Sequence, residues 1–136
     1  MEPYVCRVPL IAPSLNVYTR MHWAQQKKVR ETFQDYLWAV LNEHGNRCPR
    51  GLRAIDVRAI IQFDKVRNRD SDNFGSVLAK FSQDVFTREG IITDDTADRC
   101  TFHPPRIIVG DVEQTVIIIT ERSENSSLCK KSVEEV

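Results

Sequence analysis

Asp70 and Asp72 stand two residues apart in the run Arg69-Asp70-Ser71-Asp72-Asn73, and the pair Asp94-Asp95 follows some twenty residues later. In extended chain, residues i and i+2 point the same way, so two carboxylates at this spacing can meet at one point. Like charges that close repel, and one carboxylate takes up a proton unless a cation relieves the repulsion. An all-oxygen set of this kind suits Mg²⁺ or Mn²⁺, which keep several waters and use few protein carboxylates. A third carboxylate from the turn after Ile92 would complete an open site of the catalytic type. The competing reading is that these are loop-capping acids, with Asp72 capping a helix.

Two other uses of an Asp-x-Asp pair fail by position. A calcium loop starting at Asp70 would need an acid or amide at Phe74 and a Glu at Phe81, and neither is present. An aspartyl nucleophile of the phosphatase kind would follow a buried apolar strand, whereas Asp70 follows Lys65-Val66-Arg67-Asn68-Arg69. Lys65, Arg67 and Arg69 recur at every second residue, so in extended chain they would line one side for backbone phosphates. Lys27, Lys28 and Arg30 are weaker candidates, since a charged helical face usually meets only water.

The elements that must position these residues follow from periodicity. Tyr4 to Ile11 reads as a strand closed by Pro13 and Ser14. From about His22 to His44, Phe33, Tyr36, Leu37, Val40 and Leu41 mark one buried helical face, and Gly45 ends it. Ala54 to Phe63 is a second strand with Ile55, Val57, Ala59 and Ile61 on one face. A second helix runs from Asn73 or Ser76 to Arg88 with Phe74, Val77, Leu78, Phe81 and Val85 as its stripe. Ile91-Ile92 is a short buried element. Strands at about Asp98–Phe102 and Gln114–Glu121 can pair as a hairpin, with Pro104, Pro105 and Gly110 in the link. The predicted fold is α+β: two layers, a small mixed sheet with two helices packed on one face.

Length and charge bound the function. A chain of 136 residues fits one domain, spanning 1–121, with a polar tail at 122–136 that has little to bury and is expected to be disordered. The longest apolar run, Val116 to Ile119, is far below the roughly 20 residues of a membrane span. Glu2 and Pro3 stand where a signal peptide would carry positive charge, so a cytoplasmic protein is expected. Net charge is zero but uneven: residues 1–53 hold eight Lys or Arg against four acids, and residues 54–120 eight against eleven. A globally basic nucleic-acid binder is excluded, while a basic first third beside an acidic middle suits a metal site next to an anion-binding surface. Cys6, Cys48, Cys100 and Cys129 form no CxxC pair, which argues for buried thiols over a zinc cluster. Trp23, Trp38, Phe33 and Tyr36 read as core rather than as base-stacking platforms. His22, His44 and His103 have no ligand spacing, and His22 suits a positioning role.

Three blocks in order carry a resemblance. Pro13-Ser14-Leu15-Asn16 with Arg20-Met21-His22-Trp23-Ala24 looks like the PPSLN…R.HWA opening of the RusA family of Holliday-junction resolvases, small endonucleases of bacteria and their phages. Asp70-Ser71-Asp72-Asn73 with Lys80 and Asp84 is similar to that family's DxDN…KxxxD run. Gly90-Ile91-Ile92-Thr93-Asp94-Asp95 is similar to its GVIxDD turn. The likeness spans about residues 7 to 121.

The resemblance implies a homodimer that binds four-way DNA junctions and cuts them with Mg²⁺ or Mn²⁺. Carried over by position, the ligands are Asp70, Asp72 and Asp95, with Asp94 the alternative to Asp95. Lys80 stands for the family's important lysine, yet it lies about one helical turn further from Asp72 than in the compact members. An extra loop around Gly75 and Ser76 would restore its approach. The competing reading of Lys80 is an exposed i, i+4 ion pair with Asp84. A family member that has lost cleavage and only binds branched DNA is the leading alternative function.

Overall fold

Alternation in three of the segments builds one sheet face to be buried. In the computed structural model, which describes residues 2–66, 69, 71–93 and 98–122, the elements run β1 (Tyr4–Val8), α1 (Leu15–Arg20), α2 (Trp23–Leu41), β2 (Ile55–Phe63), α3 (Ser71–Arg88), β3 (Cys100–Phe102), β4 (Arg106–Val109) and β5 (Gln114–Glu121). The sheet order is β1-β5-β2-β3, and β4 pairs β2 beyond β3. β5 lies between β1 and β2, antiparallel to both, while β3 and β4 run parallel to β2. The fold is α+β with a mixed five-stranded sheet.

Register puts Cys6, Ile117 and Ala59 in one row and Tyr4, Ile119 and Val57 in the next, all buried. Phe33, Leu37 and Leu41 of α2 and Val77, Leu78, Phe81, Val85 and Phe86 of α3 join them in one core. Burying each of these large side chains contributes roughly 1.5–3 kcal/mol. The other sheet face is half-exposed: Val5, Ile118, Val116, Ile60 and Ile108 form an apolar strip with Arg7, Arg58 and Arg106 among them.

Four expectations need correction. The helices number three among the described residues, because Leu15–Arg20 forms a separate turn and a half, capped by the Ser14 hydroxyl, with no buried residue to give a periodic signal. The last strands do not pair as a hairpin. β3 and β5 lie on opposite sides of β2, and Arg106–Val109, read as link, supplies a further strand beside β3. Tyr36 is 46% exposed, and its place on the buried face of α2 goes to Gln34. Gln34 tolerates burial by donating from Nε2 to the Phe81 carbonyl at 3.2 Å and to Asp84 at 3.5 Å. Trp23 and Trp38, read as core, are 69% and 49% exposed; of the four aromatics expected there, only Phe33 is buried. The tail beyond Arg122 lies outside the described residues, and no described helix is long and apolar enough to cross a membrane.

Candidate active site

The head of α3 is held by contacts from two directions. On one side, Phe63 at the end of β2 packs edge-on against Phe74 at 5.2 Å, and the Arg69 guanidinium lies 3.6 Å over the Phe63 ring. Arg69 Nη1 also donates to the Lys65 carbonyl at 2.9 Å, closing the loop between β2 and α3 on itself. Lys65 sits in a bend, so the alternating row of phosphate-facing cations expected of an extended segment does not form from Lys65 and Arg69. Cation–π stacking and the loop hydrogen bond give Arg69 an internal role instead. Lys65, Lys27 and Lys28 are exposed.

On the other side, α1 crosses α3. Ser14 Oγ accepts from the Val17 N–H at 3.3 Å and sets the start of α1. The Asn16 N–H then donates to Asn73 Oδ1 at 3.2 Å, and Tyr18 meets Phe81 edge-on at 5.4 Å. Gln26 Nε2 donates to the Tyr18 carbonyl at 2.7 Å, tying α2 to the same corner. His22 caps α2, its Nδ1 accepting from the Ala24 N–H at 3.2 Å.

Two grooves flank α3. The first, about 220 Å³, runs between Asp72, Gly75, Ser76 and Ala79 and the link Phe102 to Pro105. Gly75 makes that approach possible, because a Cβ there would lie 2.9 Å from Pro105 Cδ. The second, about 290 Å³, has Leu15, Tyr18 and Thr19 of α1 on one wall and Ser76, Lys80 and Phe81 on the other. Ser76 is common to both. Asp72 is exposed in the first turn of α3, where a negative charge is favoured by the helix dipole.

Lys80 does not come close to Asp72 in the way an inserted loop would allow. The helix runs unbroken through Gly75 and Ser76, which leaves Lys80 about 12 Å further along the axis. Nor does it pair with Asp84, which accepts from Gln34. The Gly90-Ile91-Ile92 block anchors the opposite end of α3. Gly90 takes φ 70°, its carbonyl accepts from the Gly51 N–H at 2.8 Å, and Ile91 and Ile92 are fully buried. Asp70, Arg67, Asp94 and Asp95 lie outside the described residues. Among the described residues no group of three His, Cys, Asp or Glu side chains converges.

One polar cluster went unread in the sequence. His103 Nε2 lies 3.2 Å from Asp56 Oδ1, with Arg122 Nε 3.7 Å from the same oxygen. Arg122 also donates from Nη2 to the Asp98 carbonyl at 3.0 Å. The cluster binds the end of β3 to β2 and β5 on the half-exposed face. Its one sequence signal is an Asp in the polar slot of a strand; the partners come from segments 47 or more residues away. The described cysteines are buried thiols, as expected. Burial, with Cys48 and Glu43 nearby, pushes the Cys6 thiol from 9.0 up to about 12, and burial pushes Cys48 to about 11.

No protein-family model matches the chain, and no curated protein matches it.

Proposed function

We propose that this chain is a metal-dependent, structure-selective DNA endonuclease that resolves four-way junctions by paired phosphodiester hydrolysis, in recombination or repair in a bacterial or phage-infected cytoplasm. The observation that carries the reading is the Asn16–Asn73 hydrogen bond. It joins the opening block to the aspartate block across 57 positions of sequence, as two parts of one site would require. Similarity to the RusA family in three ordered blocks supplies the activity.

The donor chemistry fits a hard cation, since Asp72 offers an exposed carboxylate beside a groove and the expected partners Asp70 and Asp95, or Asp94, offer only oxygen. A bound Mg²⁺ or Mn²⁺ would lower the pKa of a water and offset charge at the scissile phosphate. Asp72 would hold and orient that ion, and Lys80 would contact DNA backbone from the adjoining groove. A junction has near two-fold symmetry, so two matching cuts call for a C2 dimer. The half-exposed sheet face, with its apolar strip and the arginines among it, is the surface proposed to pair.

A second reading is favoured by one observation, the two-turn separation of Lys80 from Asp72: a branched-DNA binder of the same fold that cuts poorly or not at all. A gel assay on a synthetic four-way junction with Mg²⁺, Mn²⁺ or EDTA separates them. Metal-dependent paired cuts support the endonuclease, binding without cuts supports the second reading, and the absence of both cutting and binding would overturn both readings.

A further inference from the structure

We propose that the corner between α1 and α2 is a seat for an unpaired nucleotide, in which Trp23 stacks on the base while Arg20 and Lys27 hold the flanking phosphates. The proposal deepens the DNA reading above and rests on its substrate class.

Trp23 is 69% exposed, the largest apolar side chain in the molecule to be left so far in water. Leaving an indole in water forgoes the burial that its surface would otherwise supply, and tryptophan is enriched at contact surfaces, where one end is apolar and the other wet. The indole is not loose. It follows directly on His22, whose ring is held by the cap to Ala24 and lies 5.4 Å from it, tilted by 38°.

The charge around Trp23 selects the occupant. No acidic residue occurs from Pro3 to Arg30, and Arg20 and Lys27, on either side of Trp23 in the chain, are both exposed. An exposed indole with Lys27 one turn after it on α2, Arg20 three residues before it and the first acid, Glu31, a turn beyond Lys27, is complementary to a polyanion that carries flat bases. A paired duplex hides its base faces, so the seat fits a single strand or the opened bases at a branch point.

Position links the seat to the candidate active site. Gln26, one turn after Trp23, lines the cleft that holds Lys80, and Ser76 is shared between that cleft and the groove of Asp72. A strand whose base rests on Trp23 can pass Gln26, Lys80 and Ser76 to reach Asp72. Lys80 on this path grips a phosphate away from the scissile one, which accounts for its distance from Asp72.

The test uses Trp38→Phe, which leaves Trp23 as the sole tryptophan. In EDTA, a short single-stranded oligothymidylate should quench its emission strongly and the matching duplex much less. Trp23→Ala and Trp23→Leu should each lower oligothymidylate affinity about tenfold, whereas Trp23→Phe should retain most of it. Unquenched emission, or Trp23→Leu binding like wild type, would overturn the seat. Equal quenching by polyglutamate would overturn base stacking, and a blue shift with phosphatidylserine vesicles but not DNA would point to a membrane surface instead. Wild-type cleavage of a junction with Mg²⁺ is read in parallel. Quenching without cleavage keeps the seat and removes the endonuclease; cleavage without quenching does the reverse.

Discussion

The backbone N–H of Asn16 donates to the side-chain oxygen of Asn73, so the first turn of α1 is pinned to the first turn of α3. The bond is solvent-exposed, and its contribution to stability is about 0.5 kcal/mol, the low end for a hydrogen bond. Its larger effect is positional. Asn73→Ala should lower the urea midpoint only slightly while speeding amide exchange at Asn16 and reducing junction cleavage by much more than the stability change explains. Asn73→Asp keeps the acceptor and should restore exchange protection. Unchanged exchange at Asn16 in Asn73→Ala would show that the pin does not hold α1.

The buried thiols predict alkaline sensitivity. Folding raises Cys6 from 9.0 to about 12 and Cys48 from 9.0 to about 11, so between those limits the native state holds protons that the unfolded state has released. Stability from these groups is complete below about pH 9 and falls as pH rises through the folded values. Tyr4 is shifted upward as well, by burial first and then by the nearby thiols, with its hydroxyl donating to the Asn46 carbonyl at 2.9 Å. Urea midpoints at about pH 8 and about pH 10.5 should differ less in Cys6→Val than in wild type. At neutral pH, Cys6 and Cys48 should react with iodoacetamide only after unfolding, because the neutral thiol is a poor nucleophile.

Much of this fold was legible because its strands alternate cleanly and its long helices carry apolar stripes. Ile55, Val57, Ala59 and Ile61 declared their buried face, and Phe81 and Val85 declared theirs. α1 was not legible, since six residues without a buried side chain carry no period. The partner of β5 was not legible either. Alternation fixes which side chains face the core but says nothing of which strand lies alongside, and β2 outcompeted β3 because it offers β5 a longer edge. At the candidate site the sequence named Asp72 but read Gly75 as part of an extra loop, whereas it lies within α3 and its meaning depends on Pro105 arriving against it. It also misread Trp23, because an aromatic residue is core by default until the helix placement shows it facing water.

The half-exposed sheet face should carry the subunit contact. Ile118 and Ile60 sit at its centre, between Arg58 and Val116 on neighbouring strands. Ile118→Lys would place a charge in that strip without touching the core. It should leave thermal unfolding within about 1 kcal/mol of wild type, as expected of a substitution outside the core. In sedimentation it should convert a dimer to a monomer at tens of micromolar. A wild-type monomer, or an Ile118→Lys dimer, would remove this face from the assembly.

Lys80 separates binding from chemistry. Two turns from Asp72, its ammonium should contribute to junction affinity and to its salt dependence more than to the cleavage step. Lys80→Ala should therefore reduce the slope of log affinity against log salt by about 0.9 while leaving single-turnover cleavage of saturated complex nearly intact. Ser76 lies one turn after Asp72 on the same helix. Ser76→Lys in the Lys80→Ala background moves the charge one turn closer and should raise the single-turnover rate. A large loss of that rate in Lys80→Ala alone would bring Lys80 back to the scissile phosphate.

Asp72→Asn tests the metal assignment against a purely structural role in the first turn of α3. The amide preserves shape and most hydrogen bonding while removing one negative charge. If Asp72 holds the ion, metal-dependent cleavage should fall by orders of magnitude, because the attacking water loses its activation. Junction binding in EDTA should hold or strengthen, since a carboxylate facing phosphate has been neutralised. Melting temperature without metal should in that case also hold or rise, because Asp70, Asp72 and Asp95 would repel one another when no cation lies between them. A purely structural role predicts a different pattern: α3 starts at Ser71, so Asp72 lies within the first turn and is not the cap, and its loss would leave cleavage near wild type. The helix dipole works in the opposite sense, disfavouring loss of an acid from the first turn by about 0.3–1 kcal/mol. An apo melting temperature that rises despite this would therefore speak for carboxylate repulsion at the head of α3, and near-normal cleavage would remove Asp72 from the metal site.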